Sequence, residues 1–304
     1  MHAIACYYYY YICSYASGGK LSGVHDNDIG TFLERIYPKL FDFHKYLLTC
    51  RDPERSGLVT IFHPWESGLD NLPVWDGPLS VVRIPARGMP EFKRLDIAAV
   101  HGAKDTRADD ETYSKLVYLA HLMREYRYDE AKMYRDFPFR VKDIIFSSIL
   151  YVANNYLREI AGVLGRKDDV RVINGWMSRA ESNFFRYFTP SQSLAKMSAD
   201  DFYDYDLVEN DWIRKRTIES LIPIYTQIIP KNKVGMLVRW INHAHYCGAG
   251  NCHVPVLPST DLHESYFRPK NYWRGPVWVN TNWMIYWGLR HYGFNERAEQ
   301  IRQG

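Results

Sequence analysis

Apolar residues recur at the three- and four-residue spacing of an amphipathic helix through most of this chain. The clearest segments are 28–50, 143–164 and 170–187, with Asp109 placed to open a further helix. No segment alternates apolar and polar residues over a useful length, which is the pattern of a half-buried strand. The sequence therefore predicts an all-α protein built of helix pairs, with its chemically interesting residues on the loops between them.

The chain has 304 residues and no low-complexity linker in its middle, which is enough for one large domain or two of ordinary size. Its formal net charge is +3, with acids and bases interspersed, so neither nucleic acid nor a membrane surface is predicted as a partner. No stretch reaches the roughly eighteen apolar residues that span a bilayer. Aromatic residues make up 15% of the chain, which indicates a packed helical core, a carbohydrate-binding cleft, or both.

The five cysteines are an odd and scattered set, for which no disulfide framework is predicted. A reducing, cytoplasmic compartment is therefore expected. The apolar, tyrosine-rich start lacks the basic region of a signal peptide. We expect residues 1–24 to be an atypical start and residues 25–304 to form the functional domain.

Residues 63–76, HPWESGLDNLPVWD, crowd three carboxylates and two tryptophans into a loop that contains two prolines. Apolar walls and a like-charged neighbour raise the pKa of a carboxyl, and an acid kept protonated can donate a proton to a leaving group. The alternative is a surface loop whose acids cap helices and whose tryptophans are core. The density of the cluster favours a functional loop, with four candidates: Trp65, Glu66, Asp70 and Trp75.

A second aromatic segment lies near the end of the chain, at residues 271–283, NYWRGPVWVNTNW. Trp273 and Trp278 flank a Gly-Pro pair that predicts the start of a helix over 277–292. Flat indole faces stack on sugars, and Arg274 with the neighbouring asparagines supplies donors for hydroxyl groups. The alternative is a buried amphipathic helix, which fits the later part of the segment.

Histidines and cysteines crowd the segment 243–253, where Cys247, Cys252 and His253 could bind zinc. The spacing departs from the usual C-x2-C pattern, so a glycine-rich loop without metal is the favoured interpretation, and no cofactor or metal is predicted. The acidic turn 200–206 fits a rim loop better than a cation site, because it lacks an EF-hand pattern.

The stretches HPWESGLDNLPVWD and YWRGPVWVNTNWMIYWGL resemble the mannosylglycerate/glucosylglycerate hydrolase group of glycoside hydrolase family sixty-three. The similarity runs from about Thr31 to the end. It includes RxxDExY at 107–113, FxVxD at 139–143 and YDYDL at 203–207. Motifs of this length are much more specific than one short pattern.

The resemblance implies an (α/α)6 toroid with its active site in a central funnel. It implies inverting hydrolysis of a small α-glucoside or α-mannoside, such as glucosylglycerate or mannosylglycerate. Asp70 falls on the family's general acid. The sugar site would be lined by Tyr272, Trp273 and Trp278, and a carboxylate aglycone would be held by Arg107 and Tyr113, since an arginine fork suits a carboxylate.

One departure concerns the general base. In the family it is a glutamate on a loop beyond the WRGPVW helix, and this chain ends at Gly304 before such a loop. We therefore expect a partial toroid, truncated at both ends, whose activity alone is in question, because an inverting enzyme needs two carboxyls roughly 6.5–9.5 Å apart. An α-glucosidase acting on oligosaccharides and a non-catalytic sugar-binding module stay open, as does a homo-oligomer. Glu66 is read as a partner that tunes Asp70 or bonds a hydroxyl.

Overall fold

The structure, a computed structural model, describes residues 1–16, 26–86, 89–98, 102–191, 202–248 and 252–304. The predicted acidic turn 200–206 lies partly outside these ranges. The chain forms two compact units, Met1–Val59 with Phe146–Phe184, and Thr60–Ile145 with Phe185–Gly304. No helix among the described residues is both long enough and apolar enough to cross a membrane.

The protein is mostly helical, as the apolar periodicity predicts. Asp109 caps its helix as expected, because its side chain accepts a hydrogen bond from the Thr112 N–H at 2.7 Å. In chain order the α-helices of the described residues are α1 (His2–Tyr11), α2 (Asp26–Leu47), α3 (Asp76–Ser80), α4 (Leu95–Ala98), α5 (Asp110–Glu125), α6 (Glu130–Asp136), α7 (Ile144–Val163), α8 (Lys167–Phe188), α9 (Pro223–Thr226), α10 (Lys231–Ile241), α11 (Val279–Tyr292) and α12 (Asn295–Gln303).

In the first unit a close backbone approach fixes the turn that follows α2. Gly57 has φ +82°, and a Cβ placed there would lie 2.3 Å from the backbone nitrogen of Ala180 on α8. Asp52 holds the same turn, since its carboxylate accepts hydrogen bonds from the N–H groups of Ser56 at 3.0 Å and Gly57 at 2.6 Å. Only glycine fits this position, because both the dihedral angle and the available space exclude a side chain.

The second unit contains a small antiparallel sheet that the sequence does not predict. Its strands pair in the order β1 (Thr60–Ile61), β2 (Val141–Lys142), β3 (Asp204–Asp206) and β4 (Asp211–Ile213). Each strand has two or three residues, which is too short to show an alternating pattern. The expectation of a chain without a sheet is therefore wrong in this detail. The sheet places the start of the 63–76 loop beside the entry to α7.

A buried acidic cluster lies where β2 and β3 meet the start of α7. It consists of Asp143, Asp204 and Glu219, which offer ligand atoms within 4.8 Å of one another. The Ile144 N–H donates to Asp204 Oδ1 at 2.8 Å, which places this carboxyl at the positive end of α7. Burial raises the pKa of Asp204 to about 6. Burial and the neighbouring Asp204 and Asp143 charges raise the pKa of Glu219 well above its usual range. The site therefore favours the protonated form of Glu219.

The last long helix begins two residues later than predicted. Residue Val277 pairs with Pro258 in an isolated bridge, and the Pro276 carbonyl accepts from the Ser259 N–H at 3.1 Å. These contacts keep the backbone extended through Trp278, so α11 begins at Val279. Pro276 consequently lies before the helix rather than in its first turn.

The expectation that the cysteines form no disulfide is also wrong. Cys247 and Cys252 are bonded across five positions of sequence. This one local pair could not be predicted from an odd number of scattered cysteines. Because a disulfide sulfur is not a thiolate, the bond removes the zinc ligand set that contained both cysteines.

Candidate active site

The two aromatic motif segments meet through side chains that are about two hundred residues apart in sequence. The Asn71 Nδ2 group donates to Asn271 Oδ1. The Arg274 Nε group donates to Asn71 Oδ1 at 3.3 Å, and its two terminal nitrogens pair with the two carboxylate oxygens of Asp76. This network holds the 63–76 loop against the 271–283 segment.

Within the first motif, proline starts two short 3-10 turns, Pro64–Glu66 and Pro73–Trp75. The imidazole of His63 is buried and bonds at both ends: Nδ1 accepts from the Trp65 N–H at 3.0 Å, and Nε2 lies 2.8 Å from the Leu116 carbonyl. Burial lowers the pKa of His63 to about 4. The imidazole is therefore neutral, and its hydrogen bonds connect the loop to α5.

Asp70 lies between these two turns and is half-buried. Burial raises the pKa of its carboxyl, while a backbone donor and the positive charge of Arg107 act in the opposite direction. A carboxyl with a raised pKa beside a fixed cation can hold a proton and release it to a ligand.

Arg107 connects Asp70 to the second motif. Its guanidinium carbon lies 4.2 Å from the centroid of the Tyr272 ring, which is a cation–π contact. Its carbonyl accepts from Asn271 Nδ2 at 3.3 Å. Tyr272 adopts φ +33°, a conformation that is uncommon outside glycine, and the surrounding contacts hold it there.

The indoles of the second motif stack on each other. The Trp273 and Trp278 rings have centroids 4.2 Å apart and planes inclined by 13°. Tyr272 stands perpendicular to Trp278 at 5.1 Å, and Trp278 Nε1 donates to the Tyr272 carbonyl at 3.2 Å. Trp273 is only 2% exposed, whereas Trp278 is half-buried. Of the two indoles, Trp278 has more surface to offer to a ligand.

Tyr113 on α5 lies in a second aromatic and cationic group. The Arg94 guanidinium carbon lies 4.0 Å from the centroid of its ring, and the centroids of Trp65 and Phe92 are 6.2 and 5.7 Å away. Arg94 also pairs with Asp96 at 2.8 Å. Sequence reasoning missed Arg94, because an arginine in an irregular segment carries no pattern of its own.

Two other candidates of the first motif, Trp75 and Glu66, make contacts that support the fold of the loop. Trp75 is 1% exposed, donates from Nε1 to the Leu69 carbonyl at 2.8 Å and packs on Phe139. This position fits the alternative interpretation of a core residue. Glu66 Oε1 accepts from the Phe62 N–H at 3.4 Å and so supports the turn.

A cleft of about 650 Å³ opens beside the two motifs. Its volume is typical of small-molecule sites. Its lining is mixed in charge, with six basic residues (Arg94, Lys104, Arg107, Lys115, Arg268 and Arg274) and five acidic ones (Asp76, Asp105, Asp109, Asp110 and Glu111). Asp70 and Trp278 lie outside this lining as far as the described residues go. Arg94, Lys115 and Arg274 form ion pairs with neighbouring carboxylates. The Arg107 guanidinium, which lies over the Tyr272 ring, suits a ligand with a carboxylate.

The chain is similar to glycoside hydrolase domains in both its sequence and its fold. The family described as "Mannosylglycerate hydrolase MGH1-like glycoside hydrolase domain" matches residues 20–304, and the chain belongs to this family. The resemblance drawn from the two motif segments is therefore confirmed.

Curated relatives are 30–35% identical to the chain over the aligned residues. It is 35% identical to the mannosylglycerate hydrolase of Thermus thermophilus over 271 residues, which covers 88% of this chain and 60% of the relative. It is 30% identical to the glucosylglycerate hydrolase of Mycolicibacterium hassiacum, over 90% of this chain and 59% of the relative. The chain thus spans about three-fifths of the length of these curated relatives.

A solved structure matches nearly the whole chain. The family sixty-three mannosylglycerate hydrolase of Thermus thermophilus in complex with Tris and D-glycerate superimposes with a TM-score of 0.84 at 32% identity. The match covers 99% of this chain and 66% of the other. A second crystal structure of that enzyme, in complex with glucose, gives a TM-score of 0.83.

Proposed function

We propose that this chain is part of an inverting α-glycoside hydrolase that cleaves a small α-mannoside or α-glucoside of glycerate, with Asp70 as the general acid. The observation that carries the proposal is the link that Arg107 makes between Asp70 and Tyr272. Burial raises the pKa of the half-buried Asp70 carboxyl, the positive charge of Arg107 acts on that carboxyl, and the Arg107 guanidinium lies over the Tyr272 ring of the other motif. Family membership and the activities of the named relatives support the same reaction.

In this proposal each group of side chains has one task. Asp70 donates its proton to the glycosidic oxygen as the bond to the anomeric carbon breaks. Tyr272 and Trp278 contact the sugar, and Trp273 supports Trp278 from behind. Arg107 and Tyr113 position the glycerate carboxylate, with the basic side chains of the cleft adding to the attraction. Arg274 holds the two motif segments in their positions relative to each other.

The helical chain is proposed to form part of an (α/α)6 toroid with this junction in its funnel. We leave the catalytic base unassigned within residues 1–304, because Glu66 is engaged with the Phe62 N–H. A cytoplasmic location stays a prediction.

A preference for a substrate that carries a carboxylate would distinguish this proposal from an α-glucosidase that acts on neutral oligosaccharides. The Arg107 guanidinium, which lies over the Tyr272 ring, favours a carboxylate-bearing glycoside over a neutral oligosaccharide. The test is to incubate the full-length protein with mannosylglycerate, glucosylglycerate and maltooligosaccharides and to follow the products by proton NMR.

The expected result is hydrolysis of a glycosylglycerate with the β-anomer of the sugar formed first, because inversion converts the α-bond. Preference for the neutral oligosaccharides would replace the substrate by an α-glucoside. First appearance of the α-anomer would contradict the inverting mechanism. Binding of the sugars without any turnover would identify a non-catalytic sugar-binding module.

A further inference from the structure

A cluster of imidazoles around a buried carboxylate lies outside the proposed active site. His245 Nδ1 is 2.6 Å from Asp261 Oδ2, and His263 Nδ1 is 3.8 Å from Asp261 Oδ1. The two imidazole centroids are 4.3 Å apart. The Asp261 side chain is fully buried, whereas His263 is largely exposed. One nitrogen or oxygen of each residue lies within 4.8 Å of the others, which is within reach of a single metal ion.

Backbone contacts hold the cluster in place without a ligand. The Leu262 N–H donates to the His245 carbonyl at 3.0 Å, which joins the two segments that carry the histidines. The His263 N–H donates to Asp261 Oδ1 at 2.9 Å, and the Asp261 N–H donates to the Arg216 carbonyl at 3.2 Å. Such a preorganised set loses little conformational entropy when it binds an ion.

The side chains next to the cluster limit which metal ions it can bind. His243 lies beside His245, with ring centroids 4.6 Å apart. The Arg216 guanidinium, with Nη1 3.8 Å from Asp261 Oδ2, competes for the carboxylate and limits the affinity. Cys247 and Cys252 are closed in their disulfide, so any ion here has nitrogen and oxygen ligands. Two imidazoles with a carboxylate suit Zn²⁺ and related transition metals rather than Mg²⁺ or Ca²⁺, which prefer oxygen.

We infer that His245, Asp261 and His263 bind one divalent transition-metal ion, with Zn²⁺ as the best match. Ligand atoms of tetrahedral Zn²⁺ lie about 3.4 Å apart. The separations of 2.6 and 3.8 Å, from the two imidazoles to the two oxygens of Asp261, lie on either side of that value. Ligand atoms of all three residues lie within 4.8 Å of one another. The ion takes the place of the hydrogen bond between His245 Nδ1 and Asp261 Oδ2, and the metal-bound imidazole carries its proton on Nε2. Water completes the coordination.

The test uses the whole chain, stripped with a chelator and titrated with ZnSO₄ by isothermal calorimetry. The variants are His245→Ala and His263→Ala. His253→Ala is the matched control, because His253 is exposed, lies in the neighbouring segment and is not part of the cluster. Because His263 is exposed, the His263→Ala variant should have the thermal unfolding midpoint of the native chain when both are measured in chelator. An equal midpoint shows that the variant folds normally.

The expected result is one Zn²⁺ per chain, retained in His253→Ala and weakened at least about tenfold in both cluster variants. Co²⁺ should give a visible spectrum without a thiolate charge-transfer band. Equal affinity in His263→Ala, a thiolate band, or no binding to the native chain would each overturn the inference. None of these results depends on the glycosidase proposal.

Discussion

Arg274 and Asp76 form a two-point ion pair that joins the two motif segments. The Arg274 Nη1 group lies 3.1 Å from Asp76 Oδ2, and Nη2 bonds Oδ1. Arg274 also donates to Asn71, next to the proposed general acid. The planar guanidinium fits this task because its donors are fixed relative to one another.

Arg274→Lys should therefore damage activity more than stability. Lysine keeps the charge but loses the fork, and a shift of about 1 Å in either motif can lower turnover roughly 100-fold. The ion pair is partly exposed, so we expect its loss to cost less than about 1 kcal/mol of the free energy of unfolding. Arg302→Lys is the matched control, since Arg302 makes a similar two-point pair with Glu299 on α12. Equal turnover of the two variants would contradict a role for Arg274 in aligning the motifs.

The buried pair Asp204 and Glu219 predicts that stability falls as the pH rises. Both carboxyls have folded-state pKa values above their unfolded values, near 6 for Asp204 and well above the usual range for Glu219. The folded protein therefore binds more protons than the unfolded chain from about pH 4 upward. The stabilisation is complete below this range and is lost as the pH passes through the folded pKa values. Urea unfolding between pH 4 and 8 measures the slope.

Glu219→Gln should flatten that slope, because glutamine keeps the neutral shape and cannot ionise. The exposed Glu296→Gln on α12 is the control and should leave it unchanged. Asp204→Asn should lower stability throughout the range, since an amide is a poorer acceptor at the start of α7 than a carboxyl. An unaltered slope in Glu219→Gln would show that this residue does not control the titration.

Gly57→Ala should destabilise the protein more than Gly165→Ala. Both glycines have positive φ, +82° and +69°. A Cβ at residue 57 would lie within 3 Å of backbone atoms of Ala180, whereas a Cβ at residue 165 meets nothing within 4 Å. Backbone strain alone costs about 1–2 kcal/mol, so the excess loss in Gly57→Ala reports the close approach to α8. Similar midpoints of chemical denaturation for both variants would contradict the packing described for this turn.

Two tryptophans from the motif segments should respond to substitution in different ways. Trp75→Ala removes a ring that is 1% exposed, and should cost about 3–5 kcal/mol of unfolding free energy. Trp278→Ala removes a half-buried ring beside Tyr272, and should raise KM for the glycoside with a smaller loss of stability. Denaturation and steady-state kinetics on both variants separate the roles. A KM that does not change in Trp278→Ala would remove this ring from the sugar site.

The long helices α2, α5, α7 and α8 were predictable because their apolar faces repeat over three or more turns. The meeting of the two motif segments could be expected from their composition, yet only the structure shows that Asn71, Asn271 and Arg274 join them. The small sheet escaped prediction because its strands are too short for a period. The start of α11 was predicted two residues early. The bridge between Pro258 and Val277 keeps the backbone extended there, and the sequence around Val277 alone does not reveal this pairing.

Single residues whose roles depend on neighbours were the hardest to assign. Trp75 and Trp65 look alike in sequence, but one is core and the other is 41% exposed. Arg94 became a candidate only through its contact with Tyr113. The Cys247–Cys252 bond could not be inferred from an odd count of cysteines, since pairing depends on which two side chains the loop brings together.

The role of Asp70 is tested most directly by Asp70→Asn in the full-length protein, with turnover measured on the natural glycosylglycerate and on the corresponding glycosyl fluoride. Asparagine keeps the size of the side chain but cannot donate a proton to the leaving oxygen. Turnover of the natural glycoside should fall at least about 10²-fold with substrate binding retained. The fluoride, which needs little protonation, should be partly spared. Unchanged turnover of the natural glycoside would show that Asp70 is structural and would contradict the proposed mechanism.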